Sequence, residues 1–116
     1  MFYLQQVDSY PVIAIDGDVD LSNVRELEAA LDNAAQINIR GLVVDLTNVK
    51  YFGSRTVHIL LRFNERLRIN RKKMVVVRPS SPSAIRLMEI TGLISLLSNF
   101  EDMSKAVQTL NEYTVD

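Results

Sequence analysis

The chain contains no cysteine, which excludes disulfides, thiol nucleophiles and sulfur-ligated metals. It has a single histidine, His58, so no histidine cluster is available for metal binding or proton relay. There is no glycine-rich phosphate loop and no G-x-S-x-G elbow of the kind that exposes a hydrolase serine. Charge of one sign is also lacking: 13 basic residues face 14 acidic ones, for a net charge of −1. Such a balance supplies no broad field to gather nucleic acid or an anionic membrane. No apolar run is long enough to span a bilayer. The opening "MFYLQQVDSY" has neither the basic start nor the apolar centre of a secretory signal. Repeats, low-complexity tracts and linkers are missing as well. These absences leave a small soluble domain over residues 1–116, expected in the cytoplasm, with no cofactor and no metal.

What is present is a regular alternation of strand and helix signals. "FYLQQV" and "VIAID" flank "DSYP", whose Asp, Ser and Pro favour a turn, so an N-terminal hairpin is expected. "LSNVRELEAALDNAAQ" places Val24, Leu27, Leu31 and Ala34 at helical spacing, with Asp20 or Ser22 as its cap. "GLVVDL" and "KMVVVRP" read as strands buried on both faces. Between them, Arg55 to Arg68 carries Val57, Leu60, Leu61, Asn64 and Leu67 on one helical face. "SPSAIRLMEITGL" predicts a helix stopped at Gly92, "ISLLSNF" a last short strand, and "EDMSKAVQTLNEY" a closing helix. About four helices should therefore flank a mixed sheet, its hairpin followed by parallel strands joined through helical crossovers.

Sites in parallel sheets gather beyond the carboxyl ends of the strands. Asp18, Asp20, Ser54 and Ser80 lie in the loops leaving those ends, and that edge is the candidate site. Ser54 stands where strand gives way to helix, which suits a helix cap. The same place suits a phosphoacceptor, because a helix N-terminus stabilises negative charge. Phosphorylation there adds about −1.5 to −2 charges. Asp18 and Asp20 resemble half of a cation site but are better suited to capping. Asp45 near a strand end suits a structural hydrogen bond as well as a functional one. His58, four residues after Ser54, is not placed as its general base. The basic cluster "RFNERLRINRKK" reads as a solvated face that complements a helix C-terminus, with an acidic partner surface as the second reading.

The order of the segments resembles that of the STAS domain family, the bacterial anti-sigma factor antagonists. "GDVDLSNVRELEAAL" is similar to the family's G-x-L-D segment and first helix. "GLVVDLTNVKYFGSRTVHILLRF" is similar to its strand, aspartate and F-x-D-S-S/T-G turn. "KKMVVVRPSSPSAIRLMEITGL" resembles the later strand, Ser-Pro loop and helix, and "FEDMSKAV" the closing helix. The resemblance implies a non-enzymatic module that binds an anti-sigma factor, a histidine-kinase-like ATPase. That kinase phosphorylates the motif serine, and a phosphatase restores it. By the same resemblance the phosphoacceptor falls on Ser54, the G-x-L-D aspartate on Asp20 and the strand-end aspartate on Asp45. Asp20, Gly53, Ser54, Arg55 and Thr56 then form the partner-binding set. The turn departs from the pattern, since D-S-S/T-G has become "GSRT". Losing an acid and gaining Arg55 moves the local charge by about two units in the positive direction. The departure favours a second reading, a STAS subunit that is not phosphorylated and serves a signalling scaffold or a lipid or anion transporter.

Overall fold

A computed structural model describes residues 1–36 and 40–113. The strands are β1 (Phe2–Val7), β2 (Tyr10–Asp16), β3 (Gly41–Asn48), β4 (Lys73–Val77) and β5 (Asn99–Phe100). They form one sheet in the order β1-β2-β3-β4-β5. β1 pairs antiparallel with β2, and every later neighbour is parallel. The helices are α1 (Val24–Gln36), α2 (Ser54–Ile69), α3 (Pro82–Ile90), the single turn α4 (Leu93–Leu96) and α5 (Met103–Glu112). The mixed α/β sheet is as the sequence implies. Its helices number five among the described residues rather than about four, because "ISLLSNF" divides into α4 and the two-residue β5.

Strand alternation sorts the core into two layers. Ile13, Ile15, Leu42, Val44, Met74 and Val76 point to the face covered by α1 and α2, together with Met88 of α3 and Leu93 of α4. Tyr10, Val12, Val43, Val75 and Val77 point to the other face, which α5 covers with Ala106, Val107 and Leu110. In α1 the buried residues are Val24, Leu27, Leu31 and Ala34, as their spacing predicts. In α2 the buried set is Thr56, Ile59, Leu60, Phe63 and Leu67, so the expected face is corrected by a rotation toward Ile59 and Phe63. Val57 and Leu61 pack only at its margin. The physical reason is volume: an isoleucine and a phenylalanine bury more apolar surface than a face that includes Asn64.

The β1–β2 turn is also tighter than expected. Val7 pairs with Tyr10, leaving only Asp8 and Ser9 in the loop, with Asp8 at φ 54°. A two-residue hairpin needs such a positive φ, which Asp tolerates. Pro11 thus lies inside β2 opposite Gln6. That pair falls between hydrogen-bonded ones, where no N–H is required of it. α2 ends in a Schellman arrangement: the Lys72 N–H donates to the Leu67 carbonyl at 2.8 Å and the Arg71 N–H to that of Arg68 at 3.0 Å. Arg71 occupies the left-handed position at φ 60°, where glycine is usual. Gly92, at φ 82°, ends α3 as its sequence position suggests.

Candidate functional site

Two loops leave the carboxyl ends of β2 and β3, and backbone hydrogen bonds tie them together. The Val19 N–H donates to the Tyr51 carbonyl and the Gly53 N–H to the Val19 carbonyl, both at 3.0 Å. This lone parallel bridge, Val19 opposite Phe52, is anchored by the two buried side chains. Asp20 follows Val19 and Gly53 follows Phe52, so the bridge brings Asp20 to Gly53, with Ser54 one residue further along the same edge. Asp20 and Ser54 share a cleft of about 460 Å³ with Leu21, Ser22, Tyr51, Gly53, Arg55 and Thr56.

Asp20 is held by its own loop. Its carboxylate accepts the Ser22 N–H at 2.9 Å and the Ser22 hydroxyl, while Asn23 Oδ1 accepts the Asp20 N–H at 2.9 Å. The Ser22 hydroxyl, then its backbone N–H, holds the Asp20 carboxyl below the usual carboxylate range. Asp20, and not Ser22, caps the turn that runs into α1, and Asn23 returns its bond in the manner of a capping box. The helix begins at Val24, after a turn closed by the Val24 N–H on the Asp20 carbonyl at 2.9 Å. Asp18 contributes its carbonyl, which accepts from Asn23 Nδ2 at 2.8 Å. Its carboxylate is not among the groups lining the cleft.

Ser54 is not the cap of α2. Gly53 is the N-cap, with extended backbone at φ −85° and ψ 174°, and no side chain caps this terminus. Ser54 is instead the first helical residue, exposed, with its hydroxyl at the positive end of a 16-residue helix. Arg55 is exposed and makes no ion pair among the described residues. Thr56 needs correction as a contact residue. It is only 2% exposed and its hydroxyl is buried without a hydrogen-bond partner, so it forms the floor of the cleft and not its rim.

The other singled-out residues lie apart. Asp45 sits within β3, where its carboxylate accepts the Thr47 N–H at 3.0 Å and the Thr47 hydroxyl, a local structural bond. Ser80 donates its N–H to the Thr47 carbonyl at 3.1 Å and lines a neighbouring recess of about 400 Å³ with Asp16 and Lys50. The four residues expected on one edge are therefore split: Asp20 and Ser54 line one cleft, while Asp18 and Ser80 do not line it. His58 is exposed on α2, one turn beyond Ser54. In the basic cluster, Arg66 pairs with Asp32 of α1 and Arg68 with Glu65, at the surface.

Two residues at the cleft escaped the sequence reading. Leu21 is 83% exposed and Tyr51 48% exposed, which makes them an apolar pair on the rim beside Ser54. Leu21 continues the three-residue spacing of Val24 and Leu27 and so reads as core. Only the turn ahead of α1 directs it outward. No helix among the described residues is long and apolar enough to cross a membrane.

Comparison with known proteins agrees with this arrangement. The STAS domain family model matches residues 2–109. The anti-sigma-F factor antagonist RsfB of Mycobacterium tuberculosis is 32% identical over 98 residues, spanning 84% of this chain and 80% of that protein. The anti-sigma-B factor antagonist of Staphylococcus aureus is 31% identical over 90 residues, spanning 78% and 82% respectively. The crystal structure of an anti-sigma factor antagonist from Mycobacterium paratuberculosis superimposes with a TM-score of 0.87. It covers 97% of this chain and 94% of that one at 23% identity, a likeness of fold. With its mixed sheet, its bridged loops and a family match over almost the whole chain, this protein belongs to the STAS domain family.

Proposed function

We propose that this protein is an anti-sigma factor antagonist. It acts by contact and not by catalysis, occupying an ATPase-type anti-sigma factor in the cytoplasm and so releasing a sigma factor. The contact edge consists of Asp20, Gly53, Ser54 and Arg55, with Thr56 beneath them. The observation that carries this reading is the exposed serine at the first position of α2, on one cleft with Asp20 where the Val19–Phe52 bridge joins the two loops. The names of the two curated relatives support the partner class.

Ser54 is the switch in this reading. A phosphate on its hydroxyl sits at the helix N-terminus, where the dipole and free N–H groups favour it by roughly 0.3–1 kcal/mol. The folded domain therefore accepts the modification at little cost to itself. The same phosphate occupies the surface a partner must cover, and its roughly −2 charge is costly to desolvate there. A phosphatase returns the serine to its binding form.

The experiment uses the ATPase-type anti-sigma factor encoded in the same genome with wild type, Ser54→Ala and Ser54→Asp, reading affinity and intact mass after incubation with ATP. Phosphate on wild type alone, with binding lost in Ser54→Asp, is the expected result. Ser54→Asp should fold at least as stably as wild type, because an acid in the first turn complements the dipole. Its loss of binding then reports the surface. Equal binding by all three proteins without phosphate would overturn the switch. Gly53 and Arg55, standing where the family motif has an acid and Ser or Thr, favour a second reading under that outcome: a constitutive STAS interaction subunit of a scaffold or transporter.

A further inference from the structure

Resting on that reading, we infer that the partner of this protein presents an acidic side chain to Arg55, flanked by apolar surface that covers Leu21 and Tyr51. Three features of the cleft lead there. First, Arg55 is exposed and without an ion pair among the described residues, as is Arg62, but of the arginines of α2 Arg55 is the one that lines this cleft; Arg66 and Arg68 are paired within the chain. A guanidinium left free on a contact surface offers a fork-shaped double donor that matches a carboxylate. Second, the other charge of the cleft is tied to its own loop and not to Arg55. Asp20 is held to its own loop through Oδ1, which takes both the hydroxyl and the backbone N–H of Ser22, and it forms no ion pair with Arg55 among the described residues.

Third, the rim carries the type of residue that anchors interfaces. Tyr51, at 48% exposure, and Leu21, at 83%, lie on the same cleft as Arg55. Arginine and tyrosine are enriched among residues that dominate binding energy, particularly where a ring of apolar contact excludes water from a charged pair. Leu21 and Tyr51 supply such a ring on this side. Position 53 offers no opposing acid, because glycine occupies it. The positive end of α2 adds to the field of Arg55. A partner evolved to meet a D-S-S/T-G turn with a basic group finds like charge here, so Arg55 also excludes such partners.

This assignment gives the switch a definite chemistry. A phosphate on Ser54 lies next to Arg55 in sequence and at the same helix end, and it supplies the negative charge that the partner's carboxylate otherwise provides. Phosphorylation then acts by substituting one anion for another at this edge.

The test measures affinity for the anti-sigma factor of the preceding experiment by calorimetry, at low and high salt. It uses wild type, Arg55→Glu, Arg55→Ser, Leu21→Glu and Tyr51→Ala, each checked for native circular dichroism. Arg55→Glu should weaken binding by about 30-fold or more, Arg55→Ser by less, and the two apolar variants by about fivefold or more each. Salt should weaken wild type, leave Arg55→Ser almost unchanged and strengthen Arg55→Glu, whose like-charge contact it screens. Replacing one acidic residue of the partner by lysine should restore binding to Arg55→Glu and to no other variant. Arg55→Glu binding as tightly as wild type would overturn the inference while leaving the antagonist reading intact. So would a self-association in sedimentation that Leu21→Glu abolishes without affecting partner binding, since the rim would then be a contact between two copies. Failure of wild type to bind any anti-sigma factor removes the antagonist reading and this inference with it.

Discussion

Replacing Gly53 by aspartate restores the acid that the family motif carries, and the structure sets the size of the effect. Gly53 is the N-cap of α2, with φ −85° and ψ 174°, a conformation any residue adopts. A Cβ built there meets only the Tyr51 hydroxyl, at 3.7 Å, an ordinary contact. Three gains follow. An aspartate cap improves on glycine by a few tenths of a kcal/mol. Its charge at the head of the helix contributes about 0.3–1 kcal/mol at low salt. Loss of glycine's freedom in the unfolded chain contributes about 0.4–1 kcal/mol. The Asp20 carboxylate across the cleft opposes part of this, and Gly53→Asp should stabilise the domain by about 1 kcal/mol. For a domain of this size that corresponds to a rise in Tm of about 4 °C. Thermal and urea unfolding should be run with Gly53→Ala, which gains only the unfolded-state term and lacks a capping acceptor, so its change should be close to zero. In about 1 M salt, where screening acts within roughly 3 Å, the advantage of Gly53→Asp over Gly53→Ala should shrink. A fall in Tm for Gly53→Asp, or equal gains in the two variants at low salt, would refute the reasoning. The expected result has a corollary: folding does not require glycine at position 53, and its presence reflects what the surface has to meet.

Arg71→Gly should stabilise the domain by about 0.5–1 kcal/mol in urea unfolding, because Arg71 holds the left-handed position of a Schellman cap at φ 60°. A loss of stability would show that its side chain outweighs the backbone strain. Thr56→Val keeps the shape while removing a buried hydroxyl that has no partner. It should raise stability by about 1 kcal/mol, and a decrease would mean that the hydroxyl is satisfied in solution. Asp20 should titrate below the ordinary carboxylate range in an NMR pH titration, and Ser22→Ala should return it upward. Since its folded pKa is depressed, its stabilising contribution is present above the unfolded pKa and is lost as pH falls through the folded one. An unshifted Asp20 in wild type would contradict the bonding of this loop.

Much of this molecule is written in local patterns. β3 and β4 are apolar runs that only two-sided burial explains, and α1 buries the four residues its spacing selects. Elements set by competition between neighbours are less legible. The face of α2 depends on which side chains fill the space between sheet and α1, which spacing alone does not reveal. The end of α2 carries no glycine, so only the dihedral angles of Arg71 disclose the cap. Leu93 to Leu96 wind into one turn because Gly92 turns the chain there, although the same residues have strand character. At the site, Asp20 and Ser54 were identifiable as residues, but their place on one cleft depends on a single backbone bridge between segments more than thirty positions apart. The exposure of Leu21 was hidden by a spacing that mimics core.

The strand order runs from β1 to β5 without ever reversing. In sheets whose order reverses, adjacent loops are thrown to opposite sides and a crevice opens between them, deep enough to enclose a small molecule. Here every crossover advances in the same direction, so successive loops lean the same way and lie over one another. The edge then carries an open cleft and not an enclosing crevice. A group added to an exposed side chain of an open cleft stays at the surface: whatever is attached at Ser54 meets any contact made there, and a few atoms suffice to be felt.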